Sequence, residues 1–403
     1  MPVMINFLLI ISLTILPLGA LHAAEWSNEA SIEARYFFDD ALNPKQHDSN
    51  LSVTFESEFY HDWDDDQQRI AFTPFARLDQ HDSERSHADL REFYWRRSFE
   101  NTDFYVGVRK IFWGVTESLH LVDIINQSDS IENLDGEDKL GQPMVSLTHS
   151  TELGDWSLYL LPWFRERTFA GLEGRLRPPF VVDHDSAQFE SGDDEKHIDS
   201  AFRWSHVIDD WDIGLSWFHG TDRTPQLIPQ TTNGTSTLLP FYPQLDQIGL
   251  DAQYTYESWL WKLETVSRRH DNRFSPTLNR SNATVGGFEY TWYGLFDSAT
   301  DIGLVMEYQY DSRDGNTAPI ANNDIAVGSR LTFNDVQDTT LLALVASDFD
   351  QRERFISFEG SRRIGDLMSI SLESRFFSNT SPQSSLHSLR DDDYFEATLT
   401  RYF

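Results

Sequence analysis

The chain has 403 residues, no cysteine and a formal net charge of −33. Without cysteine there are no disulfides, thiolate metal sites, thiol nucleophiles or lipoprotein anchor, and so acidic a chain is a poor partner for nucleic acid, whose phosphates need basic residues. Aromatic residues make up 14% and hydrophobic residues only 39%, which is too aromatic for a disordered chain and ordinary for a barrel with a wet interior and aromatic girdles.

Phe7 to Leu18 is an almost unbroken apolar run, followed by small residues up to Ala23 and Ala24. It reads as a secretory signal over residues 1–24, leaving 25–403 as one mature domain. No later stretch reaches the roughly 20 apolar residues that a transmembrane helix needs. A membrane-crossing role therefore falls to strands.

The strand signal is alternation. Leu51, Val53, Phe55 and Phe59 alternate with Ser52, Thr54, Glu56 and Glu58. Ile302, Leu304, Met306, Tyr308 and Tyr310 alternate with Gly303, Glu307, Gln309 and Asp311, and Met368, Ile370, Leu372 and Phe376 with Ser369, Ser371, Glu373 and Arg375. One face apolar and one charged, at period two, is the pattern of a strand between lipid and water. Eighteen such segments follow one another: 27–38, 50–60, 68–79, 87–98, 102–112, 142–151, 155–164, 197–208, 210–220, 244–256, 258–269, 281–294, 299–311, 323–334, 338–349, 353–363, 366–377 and 392–403. The even-numbered connections between them are short, while every long one (113–141, 165–196, 221–243, 270–280, 312–322, 378–391) is odd-numbered. Short periplasmic turns and long extracellular loops are what a barrel of this type requires. The expected fold is all-β: a single antiparallel transmembrane β-barrel of 16–18 strands in the bacterial outer membrane, both termini periplasmic. Trp156, Trp211, Trp259 and Trp261 lie beside short turns, where an interfacial girdle belongs.

The stretch 105–143 carries Gly107, Arg109, Trp113, Gly114, Asp123, Asn126 and Asp129. It resembles a pattern of large porin-like barrels, including alginate-export-type channels, in which a strand with Gly and Arg runs into Trp-Gly and a long loop folds inward. Here the Arg-to-Trp spacing is one residue shorter, and Gln127 stands where Pro is frequent. The ending, Phe395, Ala397, Leu399 and Phe403 on one face, resembles the terminal-strand signal of outer-membrane barrels, with Phe403 as the assembly signal read by a dedicated folding machine and Arg401 as a departure. These resemblances imply a porin-like channel.

A loop as long as 113–141 is functional or disordered. Leu121, Ile124 and Ile125 share one face of a predicted helical turn, which the inner wall can cover. Inward folding sets Asp123, Asp129, Glu132, Asp135, Glu137 and Asp138 in the lumen, facing Arg96 and Arg109 of the wall and Arg165, Arg167, Arg175 and Arg177 of the next loop. Acid against base across an opening orients dipolar solutes and sets ion preference; the same charges could instead pair and hold the loop. Alternation turns many further charges inward: Glu56, Glu58, Arg77, Glu92, Arg203, Asp251, Lys262, Glu264, Arg268, Glu289, Glu307, Arg330, Glu359, Arg363, Glu373 and Arg375. A dry interior could not hold so many ionised groups, so the lumen is expected to be water-filled. Asp62–Asp66 and Asp391–Asp393 lack the spacing of a calcium loop and read as solvated charge. The 13 histidines form no HExxH pattern. No enzyme, cofactor or metal is expected. The expected function is passage of small hydrophilic solutes, constricted by the 113–141 loop; a barrel moving lipid or hydrophobic cargo with an inner-membrane pump, and a barrel-anchored surface-binding protein, are the alternatives. Lipopolysaccharide and the barrel-assembly machinery are the expected partners, and a homotrimer is left open.

Overall fold

The computed structural model describes residues 24–403 except 233, 271–279, 314–318, 320 and 383. The expected signal segment lies, but for Ala24, outside the described residues. In chain order the barrel strands are β1 (Glu25–Phe37), β2 (Ser49–Trp63), β3 (Gln68–Asp79), β4 (Ala88–Phe99), β5 (Thr102–Arg109), β6 (Gln142–Thr151), β7 (Gly154–Leu161), β9 (Asp199–Ile208) and β10 (Trp211–Thr221). They continue with β13 (Gln244–Tyr256), β14 (Trp259–His270), β15 (Arg280–Trp292), β16 (Asp301–Asp311), β17 (Asn323–Thr332), β18 (Thr340–Asp348), β19 (Arg354–Ile364), β20 (Met368–Ser378) and β21 (Tyr394–Tyr402). Three shorter strands, β8 (Gln188–Phe189), β11 (Gln226–Thr232) and β12 (Thr235–Tyr242), form a separate sheet from the long loops.

The large sheet has 18 strands, each antiparallel to its neighbours in the chain. It closes where β1 meets β21, from Glu29↔Tyr402 to Phe37↔Tyr394. Closure leaves no edge strand, so every ladder is satisfied without water. The last residue takes part: Phe403 and Asn28 exchange backbone hydrogen bonds at 3.0 Å. Each of the 18 alternating segments is one barrel strand. No helix among the described residues is long and apolar enough to cross a membrane.

The two phases separate as alternation requires. Leu78 is 73% exposed, Ile248 64% and Ile32 55%, all pointing outward. So large an apolar exterior is stable only against lipid. Trp211 stacks on Tyr254, and Trp259 on Trp261, beside short turns on this same outer side. The opposite phase carries Glu33, Arg77, Asp251, Lys262, Glu264, Glu307 and Arg375, all buried.

One irregularity re-aims a side chain. Pro74 has no N–H to give to the ladder, and between Thr73 and Pro74 the β3–β4 register slips by one residue. The extra residue on β4 is Arg91, which the bulge turns inward over the Phe75 ring at 4.2 Å.

Candidate functional site

Residues 110–141, between β5 and β6, fold into the barrel. Trp113, Leu121, Val122, Ile124 and Ile125 form a core with inward-facing Met144, Tyr159, Leu161, Phe218, Leu245, Val266 and Val285. Val122 and Ile125 are fully buried, and burying such side chains contributes roughly 1.5–3 kcal/mol each. The expected helical turn is absent: Leu121 and Val122 lie in a bend and the segment is otherwise irregular. Without helical hydrogen bonds the loop's N–H groups need other acceptors, and the wall supplies them. The buried Glu264 carboxylate accepts from Val115 N (2.7 Å), Thr116 N (3.1 Å), Thr116 Oγ1 (2.7 Å) and Val122 N (3.1 Å). Glu307 accepts from the amides of Glu117 and Ser118 at 2.8 Å. Gly114, at φ +148°, is required here: a Cβ would lie 2.9 Å from Glu264 Oε1 and 3.0 Å from His120 Nδ1. At the neck, Asn126 donates to the carbonyls of Arg109 (2.8 Å) and Leu140 (2.9 Å) and accepts from Ile111 N (2.9 Å).

The loop reaches the far wall. Glu117 pairs with Lys262 of β14 at 2.5 Å and Arg330 of β17 at 2.8 Å. Asp135 pairs with Arg375 of β20 at 2.7 Å, Glu132 with Arg77 of β3 at 2.6 Å, and Asp129 with Arg91 at 3.1 Å. Asp123 is held within the loop by Lys139 at 2.9 Å. Beyond these acids, Phe112 remains 53% exposed, its ring edge-on to His120 at 4.7 Å. Burial opposes a charge on His120, but hydrogen bonds to Glu137 and Glu264 outweigh it and push its pKa up to about 10. Asp138 is pushed up to about 7, by burial and then by Glu132 and Asp135.

A second loop, residues 162–198, crosses the mouth. Arg165 pairs with Asp89 at 2.7 Å. Thr168 donates to Asp129 at 2.8 Å, so the two loops are tied. Gly171 N donates to Asp82 at 2.9 Å. Arg175 is buried between Asp392 (2.7 Å) and Asp48 (3.2 Å) and donates to the carbonyls of Asp39 and Asp391. The strap thus runs from the end of β7 to the seam where β21 meets β1. Arg167, also inside, stands near Gln127 Oε1 at 3.4 Å, and burial lowers its pKa. Arg177 donates to the Gly174 and Pro178 carbonyls.

The structure thus brings Asp123, Asp129, Glu132 and Asp135 into the lumen with Arg165, Arg167 and Arg175. Arg109 lines the wall nearby, stacked on Tyr105 at 3.6 Å and bonded to Ser146 Oγ at 3.0 Å. Arg96 is elsewhere, at the short-turn end, donating to the Asp66 carbonyl at 2.9 Å. Asp392 is buried with Arg175 rather than solvated. Three residues that the sequence reading passed over complete the network: Arg91, from the bulge, and Arg85, which pairs at 2.7 Å with the third, Glu33. His87, Asp129 and Glu132 offer ligand atoms within 4.8 Å of one another. Arg77 and Arg91 already hold those carboxylates, so the set fits an ion-pair cluster better than a cation. Below the loops, inward-facing Glu29, Glu56 and Glu58 meet no arginine or lysine at ion-pair distance among the described residues. At the upper rim a small cleft opens between Phe37, His47, His81 and Arg85 of the wall side and Leu134, Glu173 and Arg175 of the loops.

No family model and no curated protein matches the chain. Among solved structures it is similar to OccK11 (OpdR) of Pseudomonas aeruginosa, with TM-score 0.52 and 10% identity over 94% of this chain and 94% of that one. It is also similar to Wzi of Escherichia coli, a carbohydrate-binding β-barrel involved in group 1 capsule assembly, with TM-score 0.51 and 10% identity over 93% of this chain and 84% of that one. At this identity the likeness is one of fold, and the fold is that of porin-like outer-membrane barrels.

Proposed function

We propose that the protein is a porin-like channel for small hydrophilic solutes. The reading rests above all on a loop that packs inside the barrel, pinned from Asn126 at its neck to Glu117 against Arg330; on this reading it narrows the lumen without being part of its wall. The space left to a solute lies between this loop and the walls it does not cover, where Glu29, Glu56, Glu58 and Arg109 face inward. Because the loop acids are in contact with their basic partners, their fields largely cancel over more than a few ångströms. Unpaired lumen groups then govern which ions pass. Planar-bilayer recording of the purified barrel tests the reading. Stepwise currents are expected, and a preparation that inserts without conducting overturns it.

The strap across the mouth favours a second reading, a barrel-anchored surface protein. On it Arg175, paired with Asp392, would hold the strap as a cover, and the rim cleft would be the binding surface, for carbohydrate as the likeness to Wzi suggests. Glycan binding to non-conducting barrels would favour it over the channel. Passage of lipid through a lateral gap finds no support, because the β1–β21 seam is paired along its length.

A further inference from the structure

The outer wall carries a constellation that transport does not use. Ser200 of β9, His219 of β10 and Asp246 of β13 are direct cross-strand partners: His219 pairs with Ser200 on one side and with Asp246 on the other. All three belong to the outward phase, since the neighbouring Asp199, Ala201, Phe218, Leu245 and Gln247 are the buried, inward ones. They sit within three residues of the long-loop ends of their strands. His219 Nδ1 lies 2.8 Å from Asp246 Oδ1, both side chains nearly half exposed. That bond fixes the proton on Nδ1 and leaves Nε2 as the base. Ser200 stands beside this histidine in the ladder without a hydrogen bond to it; a turn of its hydroxyl toward Nε2 would complete the serine–histidine–carboxylate order of an activated nucleophile.

The surroundings indicate the substrate. Leu160 is the partner of Ser200 across the β7–β9 seam. One outward position deeper than His219 and Asp246 stand Trp217 and Ile248, which are 41% and 64% exposed. The three polar groups therefore cap a lipid-facing apolar surface at the level of the outer headgroups. An acyl chain can lie on that surface with its ester at the rim.

We propose that Ser200, His219 and Asp246 form a hydrolytic site for acyl esters at the outer membrane surface. Ser200 Oγ attacks the ester carbonyl carbon while its proton passes to His219 Nε2. The tetrahedral intermediate collapses, the carbon–oxygen bond to the alcohol breaks, and the leaving oxygen takes that proton. Water then attacks the acyl-Ser200 ester, giving one proton to His219, and the serine leaves with it as the free acid forms. Asp246 orients the imidazole and balances its transient charge. The site lies at a wet interface, where electrostatic stabilisation of an oxyanion is weak, so turnover is slow and the covalent step is the better readout.

The test uses the full-length protein in phosphatidylethanolamine–phosphatidylglycerol vesicles, reacted with a long-chain alkyl fluorophosphonate and followed by peptide mass mapping. One adduct on Ser200 is expected. Ser200→Ala abolishes it, and His219→Ala slows it roughly 100-fold, as loss of a general base does. Both variants keep the conductance of the parent, since neither residue faces the lumen; this separates failure of the ester site from failure of the channel reading. A wild-type protein without label on Ser200, or a labelling rate indifferent to His219→Ala, overturns the proposal.

Discussion

Glu264 shows how one residue positions the inward loop. Its carboxylate serves four donors of an irregular segment, and a buried donor left without an acceptor costs about 1–3 kcal/mol. Glu264→Ala is expected to destabilise the barrel by roughly 3 kcal/mol or more and to free the loop. A lower urea midpoint with larger, noisier single-channel currents would register this; unchanged values would mean that the apolar face alone holds the loop. Asp138 makes the same loop pH-sensitive. Its pKa in the folded protein, about 7, stands above the ordinary carboxylate value because burial and the nearby Glu132 and Asp135 disfavour its charge. A raised carboxylate pKa means that the folded state binds the extra proton, so its contribution is complete at low pH and is lost as pH rises from the unfolded value through about 7. Relative to the intrinsic base-catalysed rate, amides in residues 127–140 should therefore be less protected from exchange at pH 8.5 than at pH 5.5, and Asp138→Asn should remove that loss of protection. Neither residue's task could be seen from the sequence. Alternation puts Glu264 on the inner face, but nothing local says that its partners lie in residues 115–122.

At the scale of the element, strands were legible because lipid on one side and polar groups on the other impose a period of two that 18 segments share. The parity of loop lengths was legible for the same reason, since each strand reverses direction. Loop conformation was not. Leu121, Ile124 and Ile125 signal an apolar face, and that face is buried, yet it is made by an irregular, bent segment with Val122 at its centre. Arg91 was hidden by a different cause. Simple alternation with Phe93 and Trp95 puts it outside, and only the bulge at Pro74 brings it to Asp129. The expectation of a water-filled interior also needs refinement. Many lumen charges are buried against loop charges of opposite sign, so in the upper barrel protein rather than water supplies much of their solvation. The strap over the mouth depends most on this. Arg175→Ala leaves the buried Asp392 without its cation, a loss of about 3–5 kcal/mol for a broken buried pair. Limited proteolysis of intact vesicles should then cut within residues 162–198 at protease levels that spare the parent. Equal resistance would show that the β8–β11–β12 sheet, not Arg175, holds the strap.

For the whole molecule, the question is what a net charge of −33 does to a passing ion. Most of the lumen charge is in contact pairs such as Glu132–Arg77 and Asp135–Arg375, which act at a distance only as weak dipoles. What remains on one wall includes Glu29, Glu56, Glu58 and Glu92, with Arg109 and Lys110 beside them as basic groups without an ion-pair partner among the described residues. Glu29 and Glu56 are direct cross-strand partners, so their potentials add. A unit charge about 4 Å away is worth about 1 kcal/mol in water, roughly a fivefold enrichment of cations beside each carboxylate. The barrel is therefore expected to prefer cations, which a reversal potential in a potassium chloride gradient measures directly. Because the screening length falls from about 10 Å at 0.1 M to about 3 Å at 1 M, the preference should be clear in dilute salt and faint in concentrated salt. Glu56→Gln with Glu58→Gln should weaken it at low salt while leaving conductance at high salt unchanged, since neither side chain pins a loop. An anion preference in the parent barrel would contradict this assignment and shift the controlling charge to Arg109 and Lys110.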